Sequence, residues 1–333
     1  MKLEEVKGVG PSVARRLRAA GFINVETVAA TPAKELMIKA DYKKLGPALK
    51  IVAAARQALG NAFISAWDIY QMTKNRLKCT TGSSALDALL GGGVESQTIT
   101  EFTGKYGSGK TQICHSLAVT AQLKPEKGGL GGQVLFFDTE GTFSSERAYQ
   151  IACKNGLDPE DSLNNITLSR AYTSDHQTFL LDHAFKLCAE QNIRLVIVDS
   201  AISHFRGEYV GRESLSERQQ KLNSYLHKLS RLAQIYNLAA VITNQAIDRP
   251  VASYVPTPFL GDPTGGNIIA HASNTRVWLR RAKPKRSTRV ARIMASSNLP
   301  EGECVFRITG RGIEDVEDYQ PTENTIEMEE TTA

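Results

Sequence analysis

No apolar run in the 333-residue chain approaches the roughly 20 residues that a bilayer-spanning helix needs, so no membrane partner is expected. The opening MKLEEVKGVG lacks the apolar stretch of a secretory signal, and the expectation is a cytoplasmic protein. Cysteine is scarce. Cys79, Cys114, Cys153, Cys188 and Cys304 stand no closer than 35 positions apart, odd in number and without a C-x-x-C pair, which excludes a disulfide framework. The six histidines (His115, His176, His183, His204, His227, His271) lack zinc-ligand spacing and read as packing or surface residues, and no G-x-S-x-G nucleophile elbow occurs. Internal repeats are absent. A content of 41% hydrophobic and 23% charged residues excludes a collagen-like or mostly disordered chain and leaves room for one large core with a small second domain.

What is present begins with an uneven charge. No Lys or Arg follows Arg311, whereas residues 314–333 hold eight acids, and the preceding 313 residues carry 40 basic against 27 acidic side chains. A body of that sign suits a polyanionic partner such as nucleic acid, or a solvated basic surface. The acidic residues 314–333 read as a disordered tail.

Residues 1–60 predict a small all-helical domain, with Val13, Leu17 and Ala20 and then Leu45, Leu49, Val52 and Leu59 at helical spacing. The Gly8-Val9-Gly10-Pro11 turn fits a helix-hairpin-helix, whose glycines let backbone N–H groups approach a phosphate. The same turn also suits a protein-interaction module. Residues 61–78, polar apart from Phe63-Ile64-Ser65-Ala66-Trp67, read as a linker with an apolar patch. From 79 to 313 strand and helix patterns alternate. TITEF (98–102), QVLFFD (133–138), RLVIVD (194–199) and AAVIT (239–243) are near-continuous apolar strands, as in a parallel sheet covered on both faces. RVWLRR, RVARIMA and CVFRITG predict antiparallel strands that extend it. The fold class is therefore α/β.

Chemistry concentrates at the strand ends. GKYGSGKT, Gly104-Lys105-Tyr106-Gly107-Ser108-Gly109-Lys110-Thr111, satisfies G-x-x-x-x-G-K-[ST] between a predicted strand and a predicted helix. Its glycines permit a turn whose N–H groups face phosphate oxygens. Lys110 then reaches the β- and γ-phosphates, and the Thr111 hydroxyl suits Mg²⁺. Asp199 ends RLVIVD, where a carboxylate either holds Mg²⁺ or caps a helix. Glu140, after Asp138-Thr139, can polarise a water for attack on the γ-phosphate. Asp138 competes for that role, and both also suit capping. Gln245 ends the strand AAVIT before a long stretch, 246–266, that contains four prolines. The tract 276–292 holds eight Lys or Arg and no acid, which suits either phosphate contact or a solvated hairpin tip.

These motifs stand within longer strings: TGSSALDALLGGGVE (81–95), TEFTGKYGSGKTQICH (100–115), DTEGTF (138–143), HFRGEYVGRESLSERQQKLN (204–223), TNQ (243–245) and LPEGECVFRITGRGIED (299–315). In that order they resemble the archaeal RadA recombinases, within the RecA-like strand-exchange ATPases, over residues 5–318. The resemblance implies a RecA-like P-loop ATPase core behind a helix-hairpin-helix domain. It implies ATP on Gly104–Thr111 with Arg147 near the adenine, Mg²⁺ held by Thr111 and Asp199, and Glu140, Lys110 and Gln245 as the catalytic group. It places single-stranded and double-stranded DNA on Arg206, Tyr209, Arg212 and Arg218 and on a second loop that includes Arg249. Phe63 and Ala66 match an F-x-x-A motif that docks into the next subunit of a helical filament or ring, and recombination mediator proteins are further implied partners. The implied activity is ATP-dependent homologous pairing and strand exchange in recombinational repair. A regulatory paralogue that binds ATP and DNA without exchange, and a relative that acts on protein substrates, are the alternatives. The chain departs from the family pattern at Lys105, where an acid is usual, at Ser144-Ser145 in place of Arg-Pro, and in a longer second loop followed by a shortened Thr264-Gly265-Gly266.

Overall fold

The computed structural model describes residues 1–60, 63–211, 213–247, 262–282 and 287–316. Pro11 opens α1 (Pro11–Ala19), a position where its missing N–H costs no hydrogen bond. Asn24 caps α2 (Val25–Ala30) by accepting the Thr27 N–H at 2.8 Å. Next come α3 (Ala33–Lys39) and α4 (Leu45–Ala58), and the four helices enclose a core of their own that includes Leu3, Leu17, Val25, Leu36 and Val52. The buried face of α4 differs from the expected one. Leu45, Leu49 and Leu59 are exposed, and Ala48, Ile51, Val52 and Ala55 pack inward. The alanines on that face accommodate α2 and α3, against which α4 lies.

The segment expected as a linker contains a helix, α5 (Ala66–Lys74), whose N-cap Ser65 accepts the Asp68 N–H at 3.1 Å. None of its residues is buried, and Trp67, Ile69, Tyr70 and Met72 lie open. A two-stranded antiparallel pair, β1 (Lys78–Cys79) and β2 (Val94–Glu95), brackets α6 (Ser84–Leu89).

The α/β core then begins with β3 (Ile99–Gly104), α7 (Lys110–Thr120), β4 (Gln133–Asp138), α8 (Ser145–Lys154) and α9 (Pro159–Asn164). It continues through β5 (Ile166–Arg170), α10 (Ser174–Glu190), β6 (Ile193–Asp199), α11 (Ser203–Glu208) and α12 (Leu215–Ile235). The last part holds β7 (Ala239–Ile247), β8 (Asp262–Pro263), α13 (Gly266–Ala272), β9 (Thr275–Arg281), β10 (Thr288–Ser296), β11 (Glu303–Thr309) and β12 (Gly312–Asp315).

Among the described residues the main sheet runs β12-β11-β10-β9-β3-β7-β6-β4-β5, with β8 paired to the end of β7. The strands from β3 to β7 pair in parallel, and β3, β4, β6 and β7 are buried on both faces, whereas β5 forms the edge with alternate residues open. One apolar cluster gathers Phe102, Ile113, Leu117 and Phe136, and the other gathers Val196, Leu226 and Leu229. The strand β9, expected to be antiparallel, lies parallel to β3, and the antiparallel pairing starts at β10. The parallel arrangement brings the carboxyl ends of β3, β4, β6 and β7 to one edge, where ligands of such sheets sit.

An ion pair fastens the sheet behind that edge. Arg276 Nε donates to Glu101 Oε2 at 2.6 Å, and Asn244 donates to Glu101 Oε1 at 2.8 Å, which joins β9, β3 and β7. The N-terminal helices rest on the core through Arg231–Glu35 at 3.0 Å and Lys39–Asp182 at 2.8 Å.

Candidate functional site

Gly104 ends β3 where a Cβ would stand 2.3 Å from the Leu279 carbonyl oxygen, so only glycine fits. Gly109 adopts φ 108°, a left-handed conformation, and turns the loop into α7. The loop between them is a backbone cradle over a helix N-terminus, which favours an anion. Lys110, the first residue of α7, donates to the carbonyls of Gly104 at 2.9 Å and Lys105 at 3.2 Å. Burial lowers its pKa, opposed by the carboxylates of Asp199 and Glu140. Tyr106 is 96% exposed, whereas Ser108 is buried.

Asp199 is buried at the end of β6, and its Oδ1 accepts from the Thr243 hydroxyl of β7. Burial raises the Asp199 carboxyl, and the Thr243 and Thr111 hydroxyls favour its charged form. Asp199 Oδ2 and Ser108 Oγ are buried without a hydrogen-bond partner among the described residues. Buried polar atoms are seldom unpaired. The oxygens of Asp199 and Thr111 suit a hard cation such as Mg²⁺, and the backbone loop with Lys110 suits phosphate.

Asp138 and Glu140 have different surroundings. Asp138 is buried, and it accepts the N–H groups of Glu140, Gly141, Thr142 and Phe143 at 3.3, 2.7, 3.1 and 3.2 Å. Its oxygens are thus spent on shaping the turn. Glu140 is exposed, and its Oε1 accepts from Ser200 Oγ and from Gln245 Nε2, each at 2.9 Å. Residues from β4, β6 and β7 therefore converge on one carboxylate that has capacity to accept a further proton or hydrogen bond. Ser200 and Thr243 were not singled out from sequence. Their position beside Asp199 and Gln245 at adjacent strand ends is the signal that could have found them.

Other expected residues lie apart from that cluster. Arg147, on α8, donates to Gln112 Oε1 of α7 at 2.8 Å and to the carbonyls of Thr309 and Gly310, bracing α8 against the β11–β12 turn. Arg206 is exposed on α11, Arg218 is half-buried in the first turn of α12, and Tyr209 accepts a hydrogen bond from Lys221 at 2.5 Å. Arg212 and Arg249, most of the 246–266 stretch, the tip of the basic hairpin (283–286) and residues 317–333 lie outside the described residues, whereas Glu314 and Asp315, counted in the expected disordered tail, stand in β12. Phe63 is 92% exposed just ahead of α5, where Ala66 is also exposed. No group of three or more His, Cys, Asp or Glu that could hold a metal occurs among the described residues.

Fold and site together define an α/β protein with an anion cradle and a poised carboxylate at the ends of parallel strands. The sequence model of the Rad51 family matches residues 72–316, and the chain belongs to that family. It is also 47% identical over 318 residues, 95% of this chain and 97% of the relative, to "DNA repair and recombination protein RadA" of Aeropyrum pernix.

Proposed function

We propose that the chain is an ATP-dependent DNA recombinase, which assembles on single-stranded DNA and catalyses homologous pairing and strand exchange. The observation that carries this reading is the convergence of Lys110, Asp199, Glu140 and Gln245 at one sheet edge in a member of the Rad51 family. Strand exchange breaks no covalent bond in DNA, so the only bond chemistry is phosphoryl transfer.

ATP is the substrate. The Gly104–Gly109 loop and the N-terminus of α7 hold its phosphates, and Lys110 offsets charge on the transferring γ-phosphoryl group. When bound through Thr111 and Asp199, Mg²⁺ supplies further neutralisation of phosphate charge. Glu140 accepts the proton of a water as that water's oxygen bonds to the γ-phosphorus. The bond from phosphorus to the bridging oxygen breaks, and ADP leaves with its electron pair. Ser200 and Gln245 orient the Glu140 carboxylate. Gln245 also begins the route to the 246–266 stretch, so the γ-phosphate and bound DNA can influence each other. In this reading Arg206, Tyr209, Arg212, Arg218 and Arg249 face DNA, Arg147 borders the adenine, residues 1–60 are a helix-hairpin-helix domain and Phe63 with Ala66 link copies into a filament.

ATP hydrolysis measured with and without single-stranded DNA tests the reading. Several-fold stimulation by DNA is expected. Hydrolysis that is indifferent to DNA but responds to a protein partner favours the protein-acting relative instead.

A further inference from the structure

Nothing in the proposed reaction uses His115, yet its imidazole joins the two halves of the site. His115 lies one helical turn after Thr111 on α7 and is 1% exposed. Its Nδ1 sits 2.7 Å from the Thr111 carbonyl oxygen, and its Nε2 lies 2.8 Å from the backbone N of Ser144. A carbonyl only accepts and an amide only donates, so the partners fix the tautomer: Nδ1 carries the proton and Nε2 accepts. The ring is clasped by Phe143, stacked with centroids 5.2 Å apart, and by Phe136 at 6.2 Å.

The consequence follows from the amides of the turn. Asp138 takes four in succession, from Glu140 to Phe143, and these bonds tie the turn to its own strand, β4. The fifth amide, that of Ser144, goes to His115 and ties the turn to the helix that presents Lys110 and Thr111. Asp138 sets the shape of the turn, and His115 sets where it stands relative to the phosphate cradle. Ser144 is also the N-cap of α8, its hydroxyl accepting the Arg147 N–H at 3.2 Å. One ring therefore positions both the Glu140 turn and the start of the helix that bears Arg147.

We propose that His115 is a positioning residue for ATP hydrolysis, holding the Glu140 turn against the N-terminal end of α7 through the Ser144 amide. The proposal rests on the function proposed above, with Glu140 as the proton acceptor.

The test uses a matched pair, His115→Gln and His115→Met. Both side chains are unbranched and of similar length, but only Gln offers an oxygen that can accept the Ser144 N–H. ATPase kinetics with single-stranded DNA, nucleotide binding and amide exchange of the 140–148 peptide are read for each. Misplacing a reacting group by about 1 Å costs up to roughly 10²-fold in rate. Because Ser200 and Gln245 still hold Glu140, the Met variant is expected to lose about 10-fold in kcat with KM little changed. Its Ser144 amide exchanges faster, and the Gln variant recovers most of both losses. Equal behaviour of Gln and Met, in turnover and in amide exchange, overturns the proposal, as does a loss confined to nucleotide binding. If the unsubstituted protein hydrolyses no ATP, the proposed function fails, and the exchange difference at Ser144 still decides whether His115 holds the turn.

Discussion

Glu140 and Asp138 stand two residues apart and carry the same charge, yet the fold gives them different partners. Four backbone amides consume the Asp138 carboxylate, whereas Glu140 is held by two side chains and open to solvent. The sequence left that choice open because both residues stand at the end of the same strand, and the distinguishing bonds are made by a turn whose path no motif encodes. Glu140→Gln is expected to keep nucleotide binding and lose turnover by two or more orders of magnitude, the usual range for a general base. Lys110→Ala should abolish hydrolysis, since it removes the ammonium that the Gly104 and Lys105 carbonyls hold at the base of the cradle. Single-turnover hydrolysis beside nucleotide titration separates the two, and equal loss of affinity in both variants removes Glu140 from its role. The Glu101–Arg276 pair has no motif either, because it depends on β9 lying beside β3. Arg276→Met strands a fully buried carboxylate and should cost about 3–5 kcal/mol, read from the denaturant midpoint.

Among the elements, those with long apolar runs were the legible ones: QVLFFD coincides with β4, and RLVIVD falls one residue short of β6. Edge strand β5 passed unnoticed because ITLSR alternates apolar and polar residues over only five positions. Helix α5 was hidden because no apolar face of it packs on the body, so its residues lack a core-facing period. The seam between the N-terminal helices and the core is likewise invisible in sequence, being made of ion pairs between residues some 140 to 200 positions apart. Burial raises the Glu35 carboxyl, but Arg231 and Lys39 outweigh it and hold the group below its ordinary 4.5. Asp182 is similarly held below 3.8 by Lys39 and Lys228. Carboxyls with lowered folded values stabilise the seam above their ordinary values, and that stability is lost as pH falls through the lower, folded ones. Small-angle scattering is therefore expected to show the N-terminal helices docked from neutral pH down to about 4.5 and released in stronger acid. Docking that persists unchanged far below both values would mean that apolar contacts hold the seam.

For the whole molecule, the ordered strings that suggested the family all lie within residues 72–316, the region that the Rad51 family model matches. Phe63, 92% exposed before an uncovered α5, is unusual for a large apolar side chain unless another surface covers it. Burying one Phe against a neighbouring copy is worth about 1.5–3 kcal/mol at each contact. Phe63→Glu should therefore give a folded, ATP-binding monomer that coats DNA weakly, checked by light scattering beside circular dichroism. Long assemblies of the well-folded variant would show that Phe63 is not the anchor. The most direct test of the central claim is strand exchange between single-stranded DNA and a homologous duplex, with Lys110→Ala as the control. Formation of heteroduplex product by the unsubstituted protein with ATP, and none by the variant, is the predicted result. DNA-stimulated ATP hydrolysis without any exchanged product would contradict it and assign the chain to the regulatory class instead.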